Sequence, residues 1–198
     1  MSRKSVQDER RLQIMEALHK CLLEKPFDKT SIKDIAAEAG INHGMLHYYY
    51  KSKDDILLNY IEYIIDMYRT MFNEWLAKNG GSFSSTQAFL RGCFDFMHER
   101  ITLNRDISRI FVEIWEISNY NDKVKSKLKN AYTLWINTVA DLVSDQLEDR
   151  ETALLVSTAV VAFLEGLSLF SVMFEKDEFP LENLLDKFRH LLLNKLLI

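Results

Sequence analysis

The chain has 198 residues, of which 47% are hydrophobic and 27% are charged, and its formal net charge is −4. The length and hydrophobic content allow a sizeable core in one or two domains. Because only six glycines and two prolines interrupt the chain, we expect long helices and an all-α fold. The net charge excludes a uniformly basic protein, so any nucleic-acid partner must be recognised through a local surface.

The charge is unevenly distributed. Residues 1–53 contain ten Lys and Arg against seven Asp and Glu, a net +3, whereas the remainder contains 15 against 22, a net −7. Arg3, Lys4, Arg10 and Arg11 form a basic lead-in. These side chains either follow a phosphate backbone or are simply solvated.

Residues Thr30 to Lys53 have the pattern of a helix-turn-helix unit. Ser31 is placed to cap a first short helix, with Asp34 three residues later as its capping-box partner. Gly40 can adopt the positive φ that ends this helix, and Asn42 can cap the next one. The pattern therefore predicts two short helices joined by a tight turn.

The second of these helices has an inward face and an outward face. Leu46 and Tyr50 are four residues apart and predict the buried side. The outward positions near the N-terminal end are His43, Gly44, Met45, His47 and Tyr48. In a helix-turn-helix protein this end of the recognition helix meets the major groove. Ser52 caps the following helix and puts Lys53 at a helix N-terminus suited to a phosphate.

This segment resembles the N-terminal domain of the TetR family of transcriptional regulators. The matching elements are Thr30-Ser31, Ile35-Ala36, Ala39-Gly40, Gly44, the aromatic group Tyr48 to Tyr50, and Ser52-Lys53. The resemblance implies a three-helix DNA-binding domain over residues 1–53, with a connecting helix from about residue 52. It also implies a helical effector-binding and dimerisation domain over residues 54–198, with about nine helices in all.

The expected DNA contacts follow from the pattern and the resemblance together. They are Thr30, Ser31, Asn42, His43, Gly44, Met45, His47, Tyr48 and Lys53. The family commonly has Tyr at the position of His47, where the side chain touches the DNA backbone. Histidine can still donate a hydrogen bond to phosphate, and it adds a possible pH sensitivity.

The middle of the chain predicts four helices, near Asp54 to Lys78, Ser85 to Arg100, Arg105 to Ile117 and Asp122 to Leu147. The resemblance implies an effector pocket among them, and we expect its border at Phe111, Trp115, Trp135 and Phe163. An apolar pocket suits a lipophilic small molecule. If Glu113 or Glu165 faces inward, a cationic aromatic ligand gains a charge partner; otherwise a neutral or fatty ligand is expected.

The segment from Ala153 to Phe174 is apolar and long enough to span a membrane, with Glu165 as its sole charge. A carboxylate in mid-helix and acidic flanks argue against insertion. The pattern instead predicts a helix buried on every side, and no membrane partner.

The C-terminal segment after Phe179-Pro180 is a second apolar helix. Two such helices leave too much hydrophobic surface for a monomer, which favours pairing with a twofold copy. The expected homodimer interface comprises Ala159, Ala162, Gly166, Leu184, Phe188 and Leu191. The resemblance implies the same interface, and a twofold dimer implies a palindromic operator read at half-sites about 34 to 36 Å apart. The rival hypothesis is that these residues pack within one chain only.

Enzyme chemistry is not expected, because no catalytic, metal-binding or phosphate-loop spacing occurs. Cys21 and Cys93 lie far apart and are expected to be buried thiols, and neither a metal nor another cofactor is predicted. The charged N-terminus favours a cytoplasmic protein. The sequence thus predicts a ligand-responsive regulator, most simply a repressor, that binds double-stranded DNA. The alternative is an effector-independent architectural or chromosome-associated DNA-binding protein.

Overall fold

The structure is a computed structural model that describes residues 3–147, 149–175 and 177–193, without the side chains of residues 3–5, 86, 101 and 146. Its regular elements are all helical, as the composition predicts. The nine α-helices within these ranges are α1 (Arg3–Glu24), α2 (Ile32–Glu38), α3 (His43–Tyr49), α4 (Lys53–Asn79), α5 (Thr86–Met97), α6 (Arg105–Ser118), α7 (Asp122–Val143), α8 (Arg150–Met173) and α9 (Leu181–Leu191).

Three short helical segments accompany them. A 3-10 turn over Phe27–Lys29 precedes α2, a π-helical turn over His98–Thr102 follows α5, and a 3-10 turn over Ser144–Gln146 follows α7. The helices predicted over residues 85–100 and 122–147 therefore end earlier in α-helical form. In each case the chain tightens or widens its hydrogen-bonding pattern in the last turn, which apolar periodicity does not reveal.

The chain divides into two compact units. The first comprises Met1–Arg69 and Glu113–Lys127, and the second comprises Thr70–Val112 and Leu128–Ile198. Helices α4, α6 and α7 each contribute residues to both units. The division thus falls within helices and not in loops.

The first unit has a core built largely of branched aliphatic side chains. Ile14, Leu18, Ile35 and Leu46 are fully buried, which ties α1, α2 and α3 together. Tyr60 of α4 is also fully buried, and its hydroxyl lies 2.7 Å from Nδ1 of His19. This core holds α2 and α3 rigidly enough to present a surface.

The second unit has its core between α5, α7, α8 and α9. The buried members are Leu90, Phe94, Ala140, Val143, Ala153, Val160, Leu164, Leu167, Leu185, Leu192 and Leu193. The two cysteines are buried as predicted, Cys21 in the first unit and Cys93 in the second. Burial raises the pKa of the Cys93 thiol to about 12, so this thiol is held in its protonated, unreactive form.

Helix α8 corrects one expectation. By length and composition it is the one helix in the described part of the chain that could cross a membrane. The apolar run predicts burial on every side, but a single chain buries only one side of this helix. Its buried residues form one stripe, comprising Ala153, Ser157, Val160, Leu164, Leu167 and Ser171. The opposite face is exposed, with Leu155 at 67% and Met173 at 65%.

Candidate nucleic-acid interface

Helix α2 begins with the capping box that the sequence predicts. The Asp34 backbone N–H donates to the Ser31 hydroxyl oxygen at 3.1 Å, and the Ser31 backbone N–H donates to the Asp34 carboxylate at 2.7 Å. Lys25 forms an ion pair with the same carboxylate at 2.8 Å. Lys25 first, and then the two Ser31 groups, hold the pKa of Asp34 well below its ordinary value. The start of α2 is therefore fixed by local contacts and by a charge from α1's C-terminal side.

The turn between α2 and α3 has the predicted geometry. Gly40 has φ of 62°, and a Cβ built there meets no atom within 4 Å. The left-handed backbone, and not crowding, is what favours glycine here. The Ile41 N–H donates to the Ala36 carbonyl at 3.0 Å, and the Asn42 side chain accepts the Met45 N–H at 2.7 Å. The last contact is the N-cap of α3.

Helix α3 separates its two faces as expected. Leu46 is fully buried and Tyr50, just beyond the helix, is 3% exposed. The five predicted outward residues are all exposed: His43, Gly44, Met45, His47 and Tyr48. The rings of His43 and His47 meet edge to face, with centroids 4.7 Å apart. The exposed face of this helix thus offers ring nitrogens, a thioether and a phenol to a partner.

Two further predicted contacts, Ser31 and Asn42, are also exposed beside this surface, but Thr30 is not. The Thr30 side chain is 1% exposed, and its hydroxyl donates to the Pro26 carbonyl at 3.0 Å. A DNA contact by this side chain does not fit its position. The residue closes the 3-10 turn through this local contact, a structural role that the motif match alone does not distinguish from a surface one.

Lys53 is half-buried and has partners within its own unit. Its ammonium donates to the carbonyls of Phe27 and Thr30 at 2.7 and 3.0 Å, and it lies 4.3 Å from the centroid of the Phe27 ring. The Phe27 N–H donates to the carboxylate of Glu113 on α6. Burial raises the pKa of Glu113, and this N–H opposes the increase. Sequence reasoning missed this arrangement, because the partners are 26 and 86 residues apart.

The basic lead-in lies on α1, where its described side chains have partners. Arg10 donates to the Gln13 side chain at 2.6 Å, and the Arg11 guanidinium lies 5.5 Å from the centroid of the Tyr50 ring. The side chains of Arg3 and Lys4 lie outside the described residues. Arg11 therefore braces the C-terminal end of α3 by a cation-π contact.

The aromatic residues expected around an effector do not form one group. Phe111 and Trp135 pack in the second unit with centroids 6.1 Å apart, but Trp115 belongs to the first unit and is 52% exposed. Phe163 stacks on Phe188 of α9 at 3.7 Å. The sequence shows that these four residues are aromatic. Which residues they contact depends on tertiary packing, which the sequence pattern does not show.

Tyr132 and Glu165, which are not among the four expected border residues, extend the pair formed by Phe111 and Trp135. The Tyr132 ring stands perpendicular to Trp135 with centroids 5.3 Å apart, and its hydroxyl donates to the Glu165 carboxylate at 3.1 Å. We call Phe111, Tyr132, Trp135 and Glu165 the α6–α8 aromatic cluster. Burial raises the pKa of Glu165, and the Tyr132 hydrogen bond opposes the increase.

The residues expected at a homodimer interface divide into two groups. Ala159 and Ala162 are exposed, and Leu191 is 56% exposed. A Cβ built on Gly166 meets no atom within 4 Å, so space lies beside this helix position. By contrast, Leu184 and Phe188 are half-buried against the core of the second unit. The small-residue stripe of α8 and Leu191 of α9 are thus the accessible part of the predicted interface.

Among the residues that the structure describes, no three His, Cys, Asp or Glu side chains are grouped so that they could hold a metal ion. The exposed face of α3 is the candidate site, because its side chains provide hydrogen bonding and apolar contact.

Comparison with known proteins agrees with this geometry. Residues 14–60, which contain α2 and α3, match the family model described as bacterial regulatory proteins, tetR family. The chain is 38% identical over 61 residues to the HTH-type transcriptional regulator HbdR of Aromatoleum sp. (strain CIB), a match covering 31% of this chain and 27% of that protein. It is 24% identical over 174 residues to the HTH-type transcriptional regulator BetI of Yersinia pestis, covering 87% of this chain and 86% of that protein.

Solved structures share the fold over nearly the whole chain. One is a transcriptional regulator from Saccharomonospora viridis in complex with choline, with a TM-score of 0.75 and 21% identity, covering 95% of this chain and 97% of that one. Another is FadR from Bacillus subtilis in complex with stearoyl-CoA, with a TM-score of 0.72 and 16% identity, covering 92% and 97%. The family model over residues 14–60, the likeness to BetI over 87% of the chain and the helix-turn-helix geometry together identify the chain as a member of the TetR family of transcriptional regulators.

Proposed function

We propose that the protein is a ligand-responsive repressor that binds a palindromic operator as a homodimer and releases it when a small lipophilic effector binds. The observation that carries the proposal is the outer face of α3, where four side chains and Gly44 are exposed on a helix that is capped and anchored from beneath. A helix presented in this way fits a major groove, because its side chains reach base edges while its backbone stays fixed.

The exposed face of α8 supports the homodimer. Leu155, Leu169, Phe170 and Met173 are at least 37% exposed and lie on the same helix as the small residues Ala159, Ala162 and Gly166. A contiguous apolar face of this kind is unfavourable in water, and a twofold copy covers it with its own identical face. Twofold symmetry then presents two copies of α3 to two half-sites, which is the basis for expecting a palindrome.

Polar atoms in the interior of the second unit support an effector site there. His98 Nε2 and the hydroxyl oxygens of Ser108 and Ser157 are buried without a hydrogen-bond partner in the described part of the chain. Buried polar atoms are normally paired, and a bound molecule is one way to pair them. Two regulators of similar fold are complexed with stearoyl-CoA and with choline, both of which combine an apolar part with a polar group.

The regulatory step is a shift between two conformations of the dimer. The effector-free form holds its α3 helices at the half-site spacing, whereas the effector favours a form with a different spacing and lower DNA affinity. The change in DNA affinity equals the difference in effector affinity between the two forms. Transcription resumes when the operator is released.

Selection of genomic DNA fragments by the purified protein at near-physiological salt tests this proposal. Sequencing of the retained fragments is expected to reveal a shared palindrome. Met45→Ala should alter or abolish that enrichment, while Leu134→Ala is the matched control, since the two side chains are 39% and 42% exposed. Retention without a shared sequence would contradict the proposal and would favour an architectural DNA-binding protein. Absence of any retention would also count against it.

A further inference from the structure

A half-buried carboxylate without a basic partner lies in the second unit. Glu165 of α8 has one hydrogen bond, to the Tyr132 hydroxyl, and no Lys, Arg or His side chain of the described residues forms an ion pair with it. Carboxylates removed from water are normally paired with a cation or held by several donors, because desolvation disfavours the charge. One phenolic donor satisfies only part of this requirement.

A series of aromatic ring contacts begins at Tyr132, the residue that donates to Glu165. Tyr132 and Trp135 are perpendicular with centroids 5.3 Å apart, and Phe111 packs on Trp135 at 6.1 Å. The face of each ring carries a partial negative charge, and tryptophan attracts cations most strongly. The Glu165 carboxylate adjoins this series of rings through Tyr132, and among the described residues it has no ion pair.

These groups select among positively charged ligands. A divalent metal ion prefers six or more oxygen ligands, and the cluster offers one carboxylate and one phenol. A compact primary ammonium needs several acceptors for its three donors. A quaternary or highly alkylated ammonium needs none, since its methyl groups contact ring faces while its charge lies near a carboxylate.

We propose that the α6–α8 aromatic cluster binds an organic cation with apolar substituents, with Glu165 as its charge partner and Trp135 as its principal ring. This inference rests on the proposed function, because it gives the chemical class of the effector. It also assigns Tyr132 the role of orienting the Glu165 carboxylate through its hydroxyl.

Isothermal titration of the full-length protein with phenyltrimethylammonium and with its uncharged isostere tert-butylbenzene tests the inference. The wild type is expected to bind the cation more tightly. Glu165→Gln should weaken binding of the cation by about tenfold or more, which is the effect of losing one close charge pair, and leave binding of the isostere unchanged. Trp135→Leu should also weaken binding of the cation. Glu151→Gln, an exposed position on the same helix, is the matched control and should bind like the wild type.

Three results would overturn the inference: no binding of the cation by the wild type, a preference for the isostere, or equal affinity for the cation in Glu165→Gln. Thermal unfolding of each variant identifies one that has lost its fold, and Tyr132→Phe, which keeps the ring, then provides a milder second test. The genomic selection is a separate readout. If the protein selects an operator but does not bind the cation, the effector class is refuted and the proposed regulatory function stands. If it binds the cation but selects no operator, only the proposed function is refuted.

Discussion

Replacing Lys53 by methionine is expected to loosen the segment between α1 and α2. The ammonium holds the Phe27 and Thr30 carbonyls at 2.7 and 3.0 Å and lies 4.3 Å from the centroid of the Phe27 ring. Methionine keeps an unbranched apolar stem of similar length, so the substitution removes the charge and its hydrogen bonds with little change in packing.

The contacts set the size of the effect. A hydrogen bond from a charged donor contributes about 1.5 to 3 kcal/mol, and a cation-π contact at a partly exposed site contributes about 0.5 to 1 kcal/mol. Because one half-buried ammonium serves both carbonyls, we expect a loss of about 2 kcal/mol, less than the sum of these contributions. That loss corresponds to about a thirtyfold larger opening equilibrium for the segment.

Amide hydrogen exchange followed by mass spectrometry measures this opening directly. The N–H groups of Lys29 and Thr30, which donate to carbonyls in this turn, should exchange about thirtyfold faster in Lys53→Met than in the wild type. Lys51→Met is the matched control, because Lys51 is two residues away and exposed, and it should leave exchange unchanged. Equal exchange in the two variants would refute the structural role of Lys53.

The same variant tests the phosphate contact that the sequence predicts for Lys53. An ammonium has three donors, and two are used within the chain, so one remains for a phosphate. If that contact forms, the logarithmic salt dependence of operator binding should flatten by about one for each α3 helix bound. An unchanged slope with reduced affinity would leave Lys53 with the structural role only.

Three further outcomes are expected. Alanine at His43 or Met45 should change the preferred base at particular operator positions, by about 1 to 3 kcal/mol in selection experiments; a uniform loss across sequences would contradict a reading role. Gly166→Leu should raise the dimer dissociation constant by about tenfold or more in sedimentation equilibrium, because overpacking costs about 1 to 3 kcal/mol. Gly81→Leu is the control and should have no effect, since a Cβ built at Gly81 also meets no atom within 4 Å. Glu165→Gln should increase the free energy of unfolding at about pH 8, and the gain should vanish towards about pH 4. Burial raises the pKa of Glu165 in the folded state, so the folded wild type binds a proton more readily than the unfolded chain. The wild type therefore loses stability as the pH rises from the pKa of the unfolded state through the pKa of the folded state. A gain independent of pH would contradict this reasoning.

The helix-turn-helix unit was predictable because its determinants are local. Ser31 and Asp34 are three residues apart, Gly40 provides its own positive φ, and Asn42 accepts from an amide three residues later. Each signal depends on a few neighbouring residues, and each is present in the structure as the sequence predicts. The exposed side of α3 was also predictable from neighbouring residues, because Leu46 identifies the buried side of the helix.

Contacts across the chain were not predictable in this way. The Lys53 ammonium reaches the carbonyls of Thr30 and Phe27, which are 23 and 26 residues away in the sequence. For an aromatic residue, helical periodicity predicts that the side chain faces inward. It does not predict which other ring the side chain contacts. Phe163 therefore stacks on α9, while Phe111 packs on α7.

The boundary between the two compact units lies inside α6, between Val112 and Glu113. Phe111, on one side of this boundary, packs on Trp135, and Glu113, on the other side, accepts the Phe27 N–H. Two residues apart on an α-helix point about 200° away from each other, and 14 residues form a rod about 21 Å long. One helix therefore supplies an aromatic contact to the core of one compact unit and a hydrogen-bond acceptor to the other.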